Sequence, residues 1–264
     1  LKTIDSFHDG VLLGDCLKVL RQLPDESVDF ILTDPPYLVR YQDRHGRGII
    51  NDDNSRWLFP AFAELYRVLK PNRFCVSFYG WNQAQRFLHA WRECGFWISG
   101  HFAFIKFYAS NVGYVQMKHE NAYLLAKGQP EKPTTPPPDV LRFEYSGNKL
   151  HPTQKPVSAL TPLIEAFSRP GDLVLDPFAG SGTTGIAARS CRRRFVLIEK
   201  DAAYHRAARQ RLQRWSITPL KTEGCFTFAF KVALSIVHRK NMDACPSKKA
   251  RLPVMAKSRG RWPN

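Results

Sequence analysis

The chain has 264 residues, enough for one or two domains, and its 44% hydrophobic and 12% aromatic content supplies a substantial core and excludes wholesale disorder. Lys and Arg outnumber Asp and Glu by 39 to 23, a formal net charge of +16, which favours a polyanionic partner such as nucleic acid but names no chemistry. No apolar run approaches the ~20 residues that span a bilayer, residues 1–30 lack a secretory pattern, and the six scattered cysteines show no zinc spacing, so membrane, secreted-precursor and zinc-site readings are disfavoured.

Along the chain, short apolar runs alternate with amphipathic stretches. Val11–Asp15 and Asp29–Thr33 read as buried strands, with a helical turn or two around Leu17–Leu23 between them. Arg56–Leu69 carries Leu58, Ala61, Phe62, Leu65, Val68 and Leu69 at helical spacing, and Pro71 stops it. Strands are expected at Phe74–Tyr79, Trp97–Lys106 and Asn121–Ala126, with a helix at Asn82–Cys94 that ends at Gly95. Residues 128–138 carry five prolines and can sustain neither a helix nor a central strand, so they read as an extended connection.

Beyond it come a helix near Val157–Phe167, a strand Leu173–Asp176, a helix from about Gly182, a strand Phe195–Glu199 and a helix Ala202–Trp215. This alternation predicts an α/β domain over residues 1–215 with a mostly parallel sheet covered on both faces. Residues 216–264 read differently: Cys225–Val237 is apolar and the remainder basic and unpatterned. That segment holds 10 basic and 2 acidic side chains, half the charge excess of the chain. It reads as a loosely ordered extension, with a clamp on a DNA backbone as the alternative.

Two constellations carry chemistry. In Asp176-Pro177-Phe178-Ala179-Gly180-Ser181-Gly182-Thr183-Thr184, glycines sit at a strand-to-helix turn, where backbone approaches a ligand closely and a helix N-terminus offers free N–H groups. A triphosphate loop would need Lys after Gly182; a dinucleotide fingerprint is permitted by Gly185, although Asp-Pro-Phe does not suit it. About twenty residues on, Glu199 ends the next strand, where a carboxylate accepts from ribose hydroxyls. The second constellation, Asp34-Pro35-Pro36-Tyr37, follows another apolar strand. An acid, rigid carbonyls without N–H groups and an aromatic face suit the exocyclic amine of a planar base; a plain proline turn is the alternative.

These residues resemble the S-adenosylmethionine-dependent DNA amino-methyltransferases, which methylate adenine N6 or cytosine N4. Asp34–Tyr37 resembles the catalytic tetrapeptide of that family, Phe178–Gly182 its cofactor loop, and Gly14–Leu17 and His151–Pro156 two further segments. The catalytic motif precedes the cofactor motif, the permuted order of the beta group, and the resemblance runs from about Val11 to Leu212.

The resemblance implies a Rossmann-like, seven-stranded mixed sheet with helices on both faces, S-adenosylmethionine as cofactor, double-stranded DNA as partner, no metal and no membrane, and a cytoplasmic place in a prokaryotic-type cell; a homodimer stays open. It assigns Asp34, Pro35, Pro36 and Tyr37 to the reaction on a flipped base. Asp15, Lys155, Asp176, Phe178, Gly180, Ser181, Gly182, Thr183 and Glu199 fall to the cofactor, with Asp15 near its adenine amine, Glu199 on its ribose and Lys155 facing its carboxylate. Asp in the first motif position favours adenine N6 over cytosine N4. An RNA or protein amide methyltransferase, or a silent DNA-binding module, is a weaker alternative.

Two stretches are expected to reach DNA: Leu38–Asn54, with Arg40, Arg44, His45 and Arg47, and Lys106–Asn148, with Tyr108, Tyr114, Lys118 and Arg142. No second constellation suited to DNA cleavage is seen, which points to a modification enzyme with any nuclease on another chain.

Overall fold

The computed structural model describes residues 9–41, 48–109, 111–112, 114–145, 147 and 150–217. Arg44, His45, Arg47, Asn148 and the extension beyond residue 217 lie outside the described residues. In chain order the elements are β1 (Gly10–Leu13), α1 (Cys16–Leu20), β2 (Phe30–Thr33), α2 (Leu58–Val68), β3 (Arg73–Tyr79), α3 (Ala84–Glu93), β4 (Trp97–Lys106) and the short pair β5 (Asn111–Val112) and β6 (Gln116–Met117). They continue with β7 (His119–Lys127), β8 (Val140–Phe143), α4 (Val157–Phe167), β9 (Leu173–Asp176), α5 (Thr183–Ser190), β10 (Arg194–Glu199) and α6 (Ala202–Ile217).

Among the described residues the main sheet has eight strands in the order β1-β10-β9-β2-β3-β7-β4-β8. This corrects the expectation of seven. The additional strand, β8, emerges from the proline-rich connection and pairs in parallel with β4, from Ala103 opposite Val140 to Lys106 opposite Phe143. Ten-residue β4 has an open edge long enough to recruit the first residues after the prolines that can donate N–H groups to a ladder. Seven strands run the same way, and β7 alone is reversed between β3 and β4.

The central strands alternate their side chains between two cores. Leu173, Leu175, Val196, Ile198 and Ile31 pack on one face, with Leu65 of α2 and Trp91 of α3. Val174, Phe195, Leu197, Phe30 and Leu32 pack on the other, with Leu163 of α4 and Ile186 of α5. Period-two alternation of wholly apolar residues is what a parallel strand covered on both faces requires.

Strand β9 is followed by the crossover to β10 on one side, while β2 leads to β3 on the other, so the chain diverges between β9 and β2. In open α/β sheets such a divergence leaves a crevice at the carboxyl ends of the strands.

Two glycines fix how closely α5 approaches that edge. Gly182, at φ +77°, makes the turn into the helix. Gly185 faces β10 so closely that a Cβ would lie 2.7 Å from Leu197 Cδ1 and 3.3 Å from Phe195 Cδ2. Leu197 and Phe195 are wholly buried and have no space to retreat. Gly185→Ala is expected to lower the unfolding free energy by about 1–3 kcal/mol through overpacking, read from urea denaturation midpoints.

Candidate active site

Four acidic side chains mark the carboxyl ends of four neighbouring parallel strands: in sheet order, Asp15 just beyond β1, Glu199 ending β10, Asp176 ending β9 and Asp34 just beyond β2. All four line one cavity of about 500 Å³, within the ~300–1,000 Å³ range of small-molecule sites. Pro35, Pro36, Tyr37, Lys155, Phe178, Gly180, Ser181 and Thr183 line it too. Gly182 does not; it shapes the turn from behind, its Cβ direction blocked 3.0 Å away by Ala208 of α6.

On the side of β1, β10 and β9, each acid is already tied to a loop. Asp15 caps α1 by accepting from the Leu17 N–H at 3.1 Å and takes an ion pair from Lys200 at 3.0 Å. Burial pushes its proton affinity up, but Lys200 and the backbone N–H groups outweigh this and hold the carboxyl below the ordinary Asp value. Glu199 accepts from the Gly180 N–H through one oxygen and from the Asp201 N–H through the other, both at 2.7 Å. Burial raises its pKa against the pull of those N–H groups. Its ribose assignment is therefore joined by a visible second task, clamping the glycine turn.

Asp176 is buried and accepts from the Phe178 N–H at 3.1 Å and the Thr184 hydroxyl at 2.6 Å. Burial dominates and raises its pKa to about 7. Arg211 of α6, which the sequence did not single out, donates to the Ser181 carbonyl at 3.2 Å and the Thr183 hydroxyl at 2.9 Å, bracing the turn from below. Phe178 stands edge-on to Trp57, centroids 5.1 Å apart.

On the side of β2 the charges are denser. Lys155 Nζ lies 2.6 Å from Asp34 Oδ2 and 3.1 Å from the Tyr37 hydroxyl. The Tyr37 hydroxyl lies 2.8 Å from Asp34 Oδ1 and 3.2 Å from Glu120 Oε2, two acceptors for its one proton. Lys155, expected from the resemblance to face the carboxylate of the cofactor, is thus paired here with the acid of the tetrapeptide. Burial raises the proton affinity of Asp34, Lys155 lowers it, and Glu120 pushes it up again, leaving it above the ordinary Asp value.

The loop expected beside this end does line the cavity, through Val39, Tyr41 and Gly48–Asp52. Its base is closed by buried Asp52, which accepts from the Tyr41 N–H at 2.6 Å and the Val39 N–H at 3.3 Å. Within the second stretch, Phe107, Tyr114, Val115 and Tyr145 are exposed, Tyr145 meets Tyr108 edge-on at 5.3 Å, and the Arg142 guanidinium lies 5.9 Å from the Phe107 ring. Among the described residues no group of three His, Cys, Asp or Glu side chains is arranged to hold a metal, and no helix is long and apolar enough to cross a membrane.

A family model described as DNA methylase, of the N6/N4 methyltransferase type, matches residues 28–146 and 139–210. An Escherichia coli (strain K12) chain bearing the methylase name YubD is 55% identical over 199 residues, covering 75% of this chain and 88% of that one. Among solved structures, the complex of M1.HpyAVI with SAM is 26% identical at a TM-score of 0.62, covering 77% of this chain and 98% of that one. The PvuII DNA methyltransferase, cytosine-N4-specific, shares the fold at a TM-score of 0.64 and 21% identity, covering 78% and 89%. The chain belongs to the DNA amino-methyltransferase family of adenine-N6 and cytosine-N4 type.

The raised pKa of Asp176 makes a stability prediction. Between the ordinary Asp value of 3.8 and about 7 the folded state holds a proton that the unfolded chain releases, so this group's contribution to stability is greatest at low pH and is lost as pH rises through about 7. Asp176→Asn is expected to flatten that fall, measured by urea unfolding at about pH 5 and about pH 8.

Proposed function

We propose that this chain transfers a methyl group from S-adenosylmethionine to the N6 amine of an adenine flipped out of duplex DNA. The observation that carries this reading is the position of Asp34: it directly follows β2 beside the divergence of the sheet, in one cavity with the glycine turn after β9 and Glu199 at the end of β10. The residues fit the cofactor by their chemistry. A carboxylate at the end of the strand after a glycine turn suits ribose hydroxyls, an aromatic edge suits an adenine ring, and N–H groups at the start of α5 suit a carboxylate. On this reading Glu199, Phe178, Asp15, Asp176 and the Gly180–Thr183 turn hold the cofactor, whose sulfonium supplies an electrophilic methyl.

The base amine is a weak nucleophile because its lone pair is delocalised into the ring, so the protein has to orient it and draw its protons away. Asp34 accepts one amine hydrogen and the Pro35 carbonyl the other, localising the lone pair, while the Tyr37 ring packs against the base. The raised proton affinity of Asp34 makes it a better acceptor for the proton that nitrogen must lose on methylation. Lys155 is assigned to Asp34: it orients the carboxylate and keeps it ionised between turnovers.

Adenine is favoured over cytosine by Asp at position 34, in keeping with the resemblance. The base amine is paired inside the duplex, so flipping is required, and the 38–54 loop and the aromatic-basic 106–148 stretch are the surfaces assigned to DNA. The chemistry is assigned to residues 1–215.

Asp34→Ala is expected to lower methyl transfer to duplex DNA by about 10²–10³-fold or more, while calorimetric binding of S-adenosylmethionine is largely retained. Nucleoside mass spectrometry of the product should show N6-methyladenine. N4-methylcytosine would overturn the adenine assignment, and methylation of RNA or protein in place of DNA would overturn the substrate. Removing residues 216–264 is expected to leave transfer intact; a loss of salt-sensitive DNA affinity in that variant would identify the extension as a phosphate clamp.

A further inference from the structure

Glu120 and Lys106 belong to neither constellation, yet Glu120 reaches the tetrapeptide at Tyr37 and Lys106 is paired with Glu120. Glu120 arrives on the reversed strand β7 and Lys106 on its neighbour β4. Because β7 runs antiparallel to β3, with Asn121 opposite Tyr79, its amino end lies at the edge where the parallel strands have their carboxyl ends. Glu120 stands at that end, and β4, reversed again, brings Lys106 to the same edge from its last residue. The two side chains form an ion pair that is nearly closed to solvent on the lysine side, 4% exposed against 20% for Glu120. Lys106 is also held 5.2 Å from the Phe143 ring. A charge enclosed in this way keeps its partner in place, since breaking the pair would strand a buried ammonium.

Glu120 also lies 3.2 Å from the Tyr37 hydroxyl, which Lys155 approaches to 3.1 Å and which lies 2.8 Å from Asp34. We propose that Glu120, anchored by Lys106, is a positioning residue for methyl transfer: it holds the Tyr37 ring against the base site and sets the charge around Asp34. This rests on the reading of Asp34 and Tyr37 given above.

The two carboxyls are driven apart by their surroundings. Burial pushes Glu120 up, but Lys155 and Lys106 outweigh it and hold it below the ordinary Glu value, so it stays an anion. Asp34, faced by Lys155, Tyr37, Glu120 and Asp176, is raised. Paired acids split in this manner divide their tasks, one exchanging protons and the other remaining charged.

The test is Glu120→Gln in the full chain, which keeps the side-chain shape and an acceptor for Tyr37 but removes the charge. It is expected to lower kcat about 10- to 100-fold while KM for S-adenosylmethionine stays within about twofold. Activity needs Asp34 ionised and is lost as pH falls through its pKa. Deleting a neighbouring negative charge favours the ionised form, so the acid limb of the pH–rate profile should move to lower pH. A merely structural role would scale the rate without moving that limb. In a Tyr37→Phe background the kcat loss from Glu120→Gln at the pH optimum should shrink to less than about twofold, since the hydroxyl through which it holds the ring is gone, while the shift of the acid limb, which acts on Asp34 through space, should persist.

A folded Glu120→Gln enzyme with wild-type kcat and an unmoved acid limb would overturn the proposal, as would a full multiplicative loss in the Tyr37→Phe background. If the stranded Lys106 prevents folding, Lys106→Met with Glu120→Gln removes both charges, whose fields at Asp34 offset each other, and is read by kcat and by the Tyr37→Phe comparison. Wild-type protein that transfers no methyl group to DNA sinks the underlying reading instead, so the two failures are distinguishable.

Discussion

Four carboxyl groups crowd one edge of a parallel sheet, and the architecture of the site follows from how each charge is met. In sheet order Asp15 is met by Lys200 and a helix N-terminus, Glu199 by two loop N–H groups, Asp176 by one N–H and one hydroxyl, and Asp34 by Lys155 and Tyr37. An unmet buried carboxylate costs several kcal/mol, so each loop is obliged to take the conformation that presents its donors. The glycine turn is the clearest instance: its shape is set by Glu199 and Asp176 pulling on Gly180 and Phe178, with Arg211 supporting Ser181 and Thr183 from behind.

The donors differ in kind, and this divides the cavity. Toward β10 and β9 the acids are met mainly by neutral backbone dipoles, which leave lone pairs free for the hydroxyls and amines of a ligand. Toward β2 they are met by two ammonium groups and a phenol, a set that can be redistributed when a polar group enters. That set exists because β7 is reversed. A fully parallel sheet would place the amino end of that strand at the far edge, and Glu120 could not reach Tyr37.

Much of this was legible in the sequence. The strands ending at Asp176 and Glu199 were readable because apolar runs bounded by an acid or a glycine turn are what buried parallel strands look like, and α4 matches its periodicity from Val157 to Phe167. The cavity brings together the residues of both motifs apart from Gly182. What escaped notice is long-range. Strand β8 is four residues with an alternating exposure that only the open edge of β4 makes a strand. Glu120 and Lys106 sit at strand ends fourteen residues apart, where an acid and a base read as ordinary solvated caps; their pairing depends on strand order. Lys155 lies in a segment that was recognisable, but its partner, 121 residues away, was not.

Strand order also separates the site in sequence. Among the described residues the outermost strand β1 has β10 as its neighbour, with Gly10 opposite Val196, and β9 sits between β10 and β2 although it follows β8 in the chain. Loop-closure entropy grows only as the logarithm of loop length, so placing the glycine-turn strands after β8 in the chain costs about as little as placing them a third as far from β2. The Asp34–Tyr37 tetrapeptide and the glycine turn can therefore exchange places along the chain without changing which strands meet at the divergence. What such an exchange cannot alter is the edge itself: an acid at the carboxyl end of each of the four strands β1, β10, β9 and β2, and a donor for every acid.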